Sequence, residues 1–255
     1  MKNKFKILTL ITVVKNDKKN IRKTIKSIIT KKSKFIEYIV IDGKSTDGTA
    51  QIVKEYRNNI NKIISEKDNG IYDAMNKGIR KARGEYVGFC NSGDFFHKNG
   101  IKTIIDKLRV KKLDVLFATI KRNYMGASVI KSGFNLKRLK YNFDFATSHS
   151  TGFFYKRKIH NKIGYYSKDF KCSADYDFYI RLFKIKNLKI GKTNKNNIIG
   201  EVKEGGFSSK LTFLEHLNEE TKIRLKNKQS LVLILLIYIN SIIKNFKKVL
   251  IQLYN

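Results

Sequence analysis

The sequence predicts an α/β protein: a mostly parallel sheet with helices on both faces, followed by C-terminal helices. Three observations carry this. Short apolar runs alternate with stretches whose apolar residues recur every three or four positions. Aspartates stand where two of those runs end, the edge at which such sheets bind ligands. The chain has 255 residues, 42% of them hydrophobic and 12% aromatic. That suffices for one substantial core and excludes a wholly disordered chain.

Residues 7–14 form a first buried strand. Asp17 is expected to cap a helix with Ile21, Ile25, Ile28 and Ile29 on one face. Residues 36–41 are a second strand ending at Asp42, and Asp47 is expected to cap a helix carrying Ile52, Val53 and Tyr56. Residues 62–65 are a short third strand. A third helix is expected over 68–82, with Ile71, Met75, Ile79 and Ala82 on one side and Gly84 as its stop. Residues 86–90 are a fourth strand, 91–94 a turn, and Ile101, Ile104, Ile105 and Leu108 a further helical face. Beyond residue 115 the pattern loosens. Strands are expected at 115–120 and 152–155 and a helix from Asp175 to Phe183; 121–150 and 184–203 are mixed or basic. Two helices are expected after Lys210.

Lys plus Arg number 54 against 21 Asp plus Glu, a formal charge of +33. Such an excess favours polyanions or an anionic membrane face. It is spread along the whole chain without a nucleic-acid motif, so no specific nucleic acid is expected. The chain also lacks Pro and Trp, and coding bias accounts for part of its lysine content. Two cysteines, Cys90 and Cys172, build no disulfide framework and fit a reducing cytosol. The first residues mimic a signal peptide, but Lys15, Asn16 and Asp17 follow the apolar run with no cleavage site, so a buried strand is expected instead. Residues 231–239 are nine apolar residues in a row, with Lys244, Lys247 and Lys248 beyond them. A spanning helix wants about 20 such residues, so an interfacial helix fits best. A helix packed on the core is the alternative.

No GxGxxG follows the first strand, no GxxxxGK[ST] occurs, and there is no zinc-type Cys/His spacing and no GxSxG elbow. What remains is carboxylates at strand ends. Asp42 opens a glycine-flanked polar loop, DGKSTDGT at 42–49, where a carboxylate can accept hydrogen bonds from a base or ribose. Asp94 closes the fourth strand, a place suited to a hard cation shared with a diphosphate. Asp175 and Asp177 open a helix, as caps or as a general base.

Together these segments resemble the family 2 glycosyltransferases, with the GT-A fold. The likeness runs over about residues 5–210. It is sharpest in SEKDNGIYDAMNKGIRKARGEYVGFCNSGDFF at 65–96, which looks like the colanic-acid and exopolysaccharide branch. SHSTGFFYKR at 148–157, SADYDFYIRL at 173–182 and GGFSS at 205–209 follow in the family's order. The resemblance implies a domain over 1–210, with a nucleotide-sugar half to about 115 and an acceptor half over 116–210. Residues 211–255 would be a helical, membrane-associating segment.

The resemblance also implies an inverting, metal-dependent hexosyl transfer from a nucleotide sugar, a UDP-sugar by analogy, to a hydroxyl of a lipid-linked or surface glycan. It places the enzyme at the cytoplasmic face of the membrane. Asp42 would contact the base, and Asp73, Asn76 and Lys77 the ribose and diphosphate. Asp94 and His149 would hold Mn²⁺ or Mg²⁺. Asn91 would reach the ribose or a metal-bound water, and Arg181 a phosphate. Asp175 matches the catalytic base, with Asp177 as the alternative and Ala174 where a Glu is frequent. Asn91 and Gly93 stand where the family usually has acids. The competing classes are a nucleotidyltransferase on a related sheet and a non-catalytic basic protein that binds RNA or membrane.

Overall fold

The computed structural model describes residues 6–30, 33–124, 126–141, 149–206, 209 and 211–254. Parts of two motifs, Ser148 and the pair Phe207 and Ser208, lie outside the described residues.

Seven strands make the main sheet: β1 (Leu8–Val14), β2 (Ile36–Asp42), β3 (Lys62–Ser65), β4 (Tyr86–Phe89), β6 (Val115–Phe117), β9 (Phe153–Lys156) and β10 (Ile190–Lys192). Their order is β10-β6-β9-β4-β1-β2-β3, and only β9 runs antiparallel to its neighbours. A smaller sheet joins β5 (Phe95–Phe96), β11 (Gly200–Val202), β7 (Ile120–Tyr124) and β8 (Ala127–Lys131) in the order β5-β11-β7-β8.

The alternation of β1 explains the layers. Ile11 and Val13 point into one core with Ile39, Ile41 and Phe89, which α3 (Ile71–Lys81) and α6 (Ala174–Leu182) cover with Met75, Ile79, Phe178 and Tyr179. Leu8 and Leu10 point into the other core with Tyr38 and Val40. That face is covered by Ile21, Ile25 and Ile28 of α1 (Lys18–Ile29), Ile52 and Val53 of α2 (Thr49–Glu55), and Ile104 and Leu108 of α4 (Gly100–Lys111). Both faces are therefore dry, as parallel strands require.

The expected strand over 115–120 ends early. Thr119 N–H donates to Thr193 Oγ1 at 2.7 Å, which takes it off the ladder and lets β7 start the second sheet. The mixed stretch after it begins as the β7–β8 hairpin. The C-terminal region has three helices rather than two: α7 (Phe213–Lys226), α8 (Leu231–Lys244) and α9 (Phe246–Tyr254). Thr212 and Glu215 form a reciprocal capping box at the start of α7. Asp17 does not cap α1. Lys18 N–H is instead taken by Asp47 Oδ2 at 3.0 Å from the neighbouring loop, and Asp47 Oδ1 also accepts Thr49 N–H at 2.9 Å, so one carboxylate serves two helix starts.

The turn from α3 into β4 passes against β1. A Cβ on Gly84 would stand 2.6 Å from Thr9 N, a backbone atom that cannot step aside. Gly84→Ala is expected to cost about 1–3 kcal/mol through overpacking. A thermal melt checks it: an unchanged midpoint would mean that the turn has slack that the structure does not show.

Candidate active site

The chain leaves β1 for β2 and β3 on one side and returns to β4 on the other, so the order reverses between β1 and β4. Ligands bind at such a reversal, beyond the carboxyl ends of the strands. Here the two ends are tied by Ser92 Oγ donating to Asp17 Oδ2 at 2.7 Å.

Asp42, 1% exposed, ends β2. Its carboxylate accepts Ser65 Oγ–H at 2.5 Å from the end of β3 and Ser45 N–H at 3.3 Å, so it shapes the loop after it. Asp68 lies so close over Gly43 that a side chain there would collide with its carboxylate, and Lys15 borders the same glycine. Asp42, Asp68 and Lys15 thus share one edge. The motif at 65–96 contains Asp68, yet no spacing rule singles it out.

The turn after β4 places Asp94. Gly93 takes φ +98°, where glycine is favoured. Thr24 of α1 holds this turn twice: Gly93 N–H donates to its Oγ1 at 3.0 Å, and that hydroxyl donates to Asp94 O at 2.7 Å. Thr24 is the one fully buried polar residue on the apolar face of α1, and that interruption was its sequence signal. The buried Asp94 carboxylate accepts Thr151 Oγ1–H at 2.6 Å and Lys203 N–H at 3.1 Å. Burial pushes its pKa up against the pull of His149 and these donors.

His149 Nδ1 accepts Thr151 N–H at 3.3 Å and lies 3.6 Å from Asp94 Oδ2. Burial lowers the His149 pKa, with Asp94 opposing, which favours the neutral ring. Asn91 Nδ2 donates to Ser150 Oγ at 3.1 Å, while its buried Oδ1 has no hydrogen-bond partner among the described residues. A carboxylate oxygen, a neutral imidazole nitrogen and an unpaired amide oxygen therefore belong to one turn and the segment facing it. Oxygen and imidazole donors suit Mn²⁺ or Mg²⁺. Among the described residues no three His, Cys, Asp or Glu side chains cluster as a complete metal cage, so a cation here would complete its shell with other ligands, such as a diphosphate.

Asp73 and Lys77 pair at 3.5 Å across one turn of α3. Burial works against Asp73 ionisation, but Asn69 N–H, Lys77 and Lys168 outweigh it and hold its pKa below the usual value. Lys77 also reaches Glu66 at 3.0 Å and Lys67 O at 2.7 Å. Asn76 and Arg181 are engaged elsewhere. The Asn76 amide meets Tyr166 O at 2.8 Å and Tyr166 N–H at 3.1 Å; Arg181 donates to Ile163 O and to Tyr165 O and pairs with Asp177 at 2.8 Å. The two residues grip one loop from α3 and α6.

Asp175 and Asp177 part company. Asp177 is 1% exposed, paired with Arg181, and accepts Asn227 Nδ2–H at 2.9 Å. Asp175 accepts Tyr176 N–H at 3.0 Å and a long 3.3 Å bond from Tyr72 Oη, whose main partner is Cys172 O at 2.6 Å. Burial pushes Asp175 up to about 7, with Glu219 adding to the rise against those donors. Glu219 of α7 accepts the N–H groups of Lys171, Cys172 (3.0 Å) and Ser173 (2.9 Å), the loop that leads into Asp175. Sequence reasoning missed Glu219, because its partners lie 46–48 residues away.

Fold and site together define a GT-A glycosyltransferase. The chain belongs to glycosyl transferase family 2, whose profile matches residues 9–166. The PGL/p-HBAD biosynthesis glycosyltransferase of Mycobacterium tuberculosis is 26% identical over 204 residues, 74% of this chain and 75% of that protein. Chondroitin synthase of Escherichia coli is 26% identical over 72% of this chain and 28% of its own length. The glycosyltransferase GlyA of Streptococcus pneumoniae is 32% identical over 42% of this chain, which spans only 16% of that protein. Among solved structures, residues 1–349 of S. aureus TarS with UDP superpose with a TM-score of 0.69 at 20% identity, over 94% of this chain and 72% of that one. A Pyrobaculum calidifontis mannosyltransferase with GDP-Man and Mn²⁺ reaches 0.63 at 15%, over 88% and 64%. The protein is thus a glycosyltransferase that takes a nucleotide-sugar donor; its relatives do not single out the colanic-acid branch.

Removing the Glu219 carboxylate leaves three successive N–H groups without their acceptor. Glu219→Ala is expected to cost about 2–4 kcal/mol, against about 1 kcal/mol for loss of the exposed cap in Glu215→Ala. Urea midpoints of the two variants decide it; equal losses would mean that the loop needs no anchor.

Proposed function

We propose that the protein is an inverting glycosyltransferase with Asp175 as its general base. The donor is a UDP-sugar, and the acceptor is a sugar hydroxyl of a lipid-linked or surface glycan met at the cytoplasmic face of a membrane. The observation that carries this is the contrast at the start of α6: Asp177 is fully engaged, while Asp175 has few donors and a pKa raised to about 7. That value suits a base working near neutral pH.

The donor would lie across the carboxyl edge, its base toward Asp42 and Asp68 and its diphosphate toward Asp94. A hexose is the expected group. UDP is favoured because TarS, which shares the fold, binds UDP and UDP-GlcNAc. A divalent cation held by Asp94 and His149 would neutralise charge on the leaving diphosphate. Asn91 Oδ1 offers an acceptor for a ribose hydroxyl or a bound water. In the chemical step Asp175 takes the proton of the acceptor hydroxyl as that oxygen bonds to the anomeric carbon. The bond from that carbon to the diphosphate oxygen breaks with its electron pair on the leaving group, and in-line attack inverts the centre. The transition state is oxocarbenium-like, as in other glycosyl transfers. Tyr72 Oη lies 3.3 Å from the Asp175 carboxylate and can donate to it.

Only the ionised base is active, so kcat/KM should rise with pH through about 7 and level off above it. Asp175→Asn is expected to lose about 10²–10⁴-fold in kcat while a UDP-induced thermal shift survives. Asp94→Ala should instead lose the Mn²⁺-dependent part of that shift. An Asp175→Asn enzyme with near-normal turnover would place the base elsewhere.

The same shift has a cost in stability. The folded pKa lies above the free-chain value, so stability is lost as pH climbs from about 4 through about 7. Asp175→Asn, which keeps the oxygen facing Tyr176 N–H, is therefore expected to melt higher than the parent at pH 8 and level with it at pH 4. An equal or lower melting point at pH 8 would contradict the raised pKa.

A further inference from the structure

α8 shows an apolar stripe to the outside. Leu231, Val232, Leu235, Leu236, Ile239 and Ile243 are 45–71% exposed. At 3.6 residues per turn they fall within an arc of about 140°. The flank beyond Leu231 is seated on the protein: Ile234 is buried, Tyr238 Oη reaches Asn218 of α7 at 3.3 Å, and α9 returns against both helices. α9 adds exposed Phe246 and Ile251. Soluble proteins rarely leave so continuous an apolar strip uncovered unless something binds it.

The charge pattern says what binds. Residues 221–255 carry seven Lys or Arg and no Asp or Glu. Lys244, Lys247 and Lys248 stand exposed where α8 passes into α9, at the end of the stripe. A second copy of this surface would bring like charges together, which opposes self-association. An anionic bilayer meets both needs: its acyl boundary takes the apolar arc and its headgroups take the lysines. No helix among the described residues is long and apolar enough to cross a membrane, so the helix would lie in the plane of the interface.

We propose that the outer face of α8, with the start of α9, is a docking surface for an anionic lipid bilayer. This deepens the reading of a lipid-linked acceptor and rests on it for its purpose, but not for its test. The surface has a built-in relation to the site. α8 and α9 pack on α7, and α7 carries Glu219, which holds the loop before Asp175. A membrane held at α8 therefore borders the helix that anchors the base.

Sedimentation of the full chain with vesicles of phosphatidylglycerol and phosphatidylcholine tests this, beside vesicles of phosphatidylcholine alone. Binding to the anionic vesicles is expected, with weaker binding to the neutral ones. Leu235→Glu with Ile239→Glu, both on the exposed arc, should weaken binding by about tenfold or more. Replacing Lys244, Lys247 and Lys248 by Ser should weaken it roughly hundredfold. Both variants should keep the parent's far-UV circular dichroism and a single cooperative melt, which shows that they are folded whatever donor the protein takes and separates this proposal from the catalytic reading. No binding by the parent, or undiminished binding by both variants, would overturn it. So would a concentration-dependent dimer in ultracentrifugation that Leu235→Glu with Ile239→Glu abolishes, because then a second copy covers the stripe.

Discussion

Both faces of the central strands of the main sheet are buried, and the placement of the carboxylates at the strand ends follows from that. β1 and β2 are buried along their whole lengths. A polar side chain inside either core must be fully paired, as Glu37 is by Arg83 and Thr9. Groups that the sheet itself offers to a ligand appear where its strands end. Asp42, Asp68, Asn91 and Asp94 are all carried by the carboxyl ends of β2, β3 and β4 or by the segments that leave them. The reversal of strand order between β1 and β4 opens that edge, and the bond between Asp17 and Ser92 ties its two sides.

Within the site, the number of donors decides the charge state of each carboxyl more than net charge does. A chain of +33 should favour ionised acids everywhere, but most of its lysines are exposed and screened beyond about 8 Å. Glu219 is largely buried, yet its pKa falls, because three main-chain N–H groups and the Cys172 thiol face it. Asp175 has one N–H and one long hydroxyl bond, and burial prevails. Asp94 has two donors and a neighbouring imidazole, and burial still prevails. Asp94 and Asp175, the two carboxyls proposed for chemistry, are under-supplied and the structural Glu219 is saturated; burial raises Glu220 of α7 as well, so the distinction needs the geometry of the site beside it.

Periodicity made the first half of the fold legible because each element there is amphipathic or doubly buried. The alternation from β1 to α4 needs no partner to be recognised. The later elements are short: β10 and β11 have three residues each, and their patterns do not differ from those of polar loops. β9 reads as an aromatic strand, but its antiparallel direction is fixed by tertiary contact alone. In the site, carboxylates at strand ends were legible and their supports were not. Thr151 lies 57 residues from Asp94, and Tyr72 lies 103 from Asp175. Asn76 and Arg181 carry the residue types of a donor site, but their donors and acceptors are turned onto backbone atoms of the loop between α5 (His160–Ile163) and α6.

That loop shows how the C-terminal region enters the enzyme. It is held on one side by Asn76 and Arg181 and on the other by Glu219 of α7. Arg224 of α7, 1% exposed, donates to Lys140 O at 2.5 Å, and Asn227 reaches Asp177 at 2.9 Å. Such a buried cation is stable only when its donors are satisfied, so α7 cannot shift without stranding Arg224. α6 is therefore positioned as much from the C-terminal side as from the sheet. The helices that carry the exposed apolar stripe pack on that same α7, whose Glu219 holds the loop before Asp175 and whose Arg224 holds the chain at Lys140.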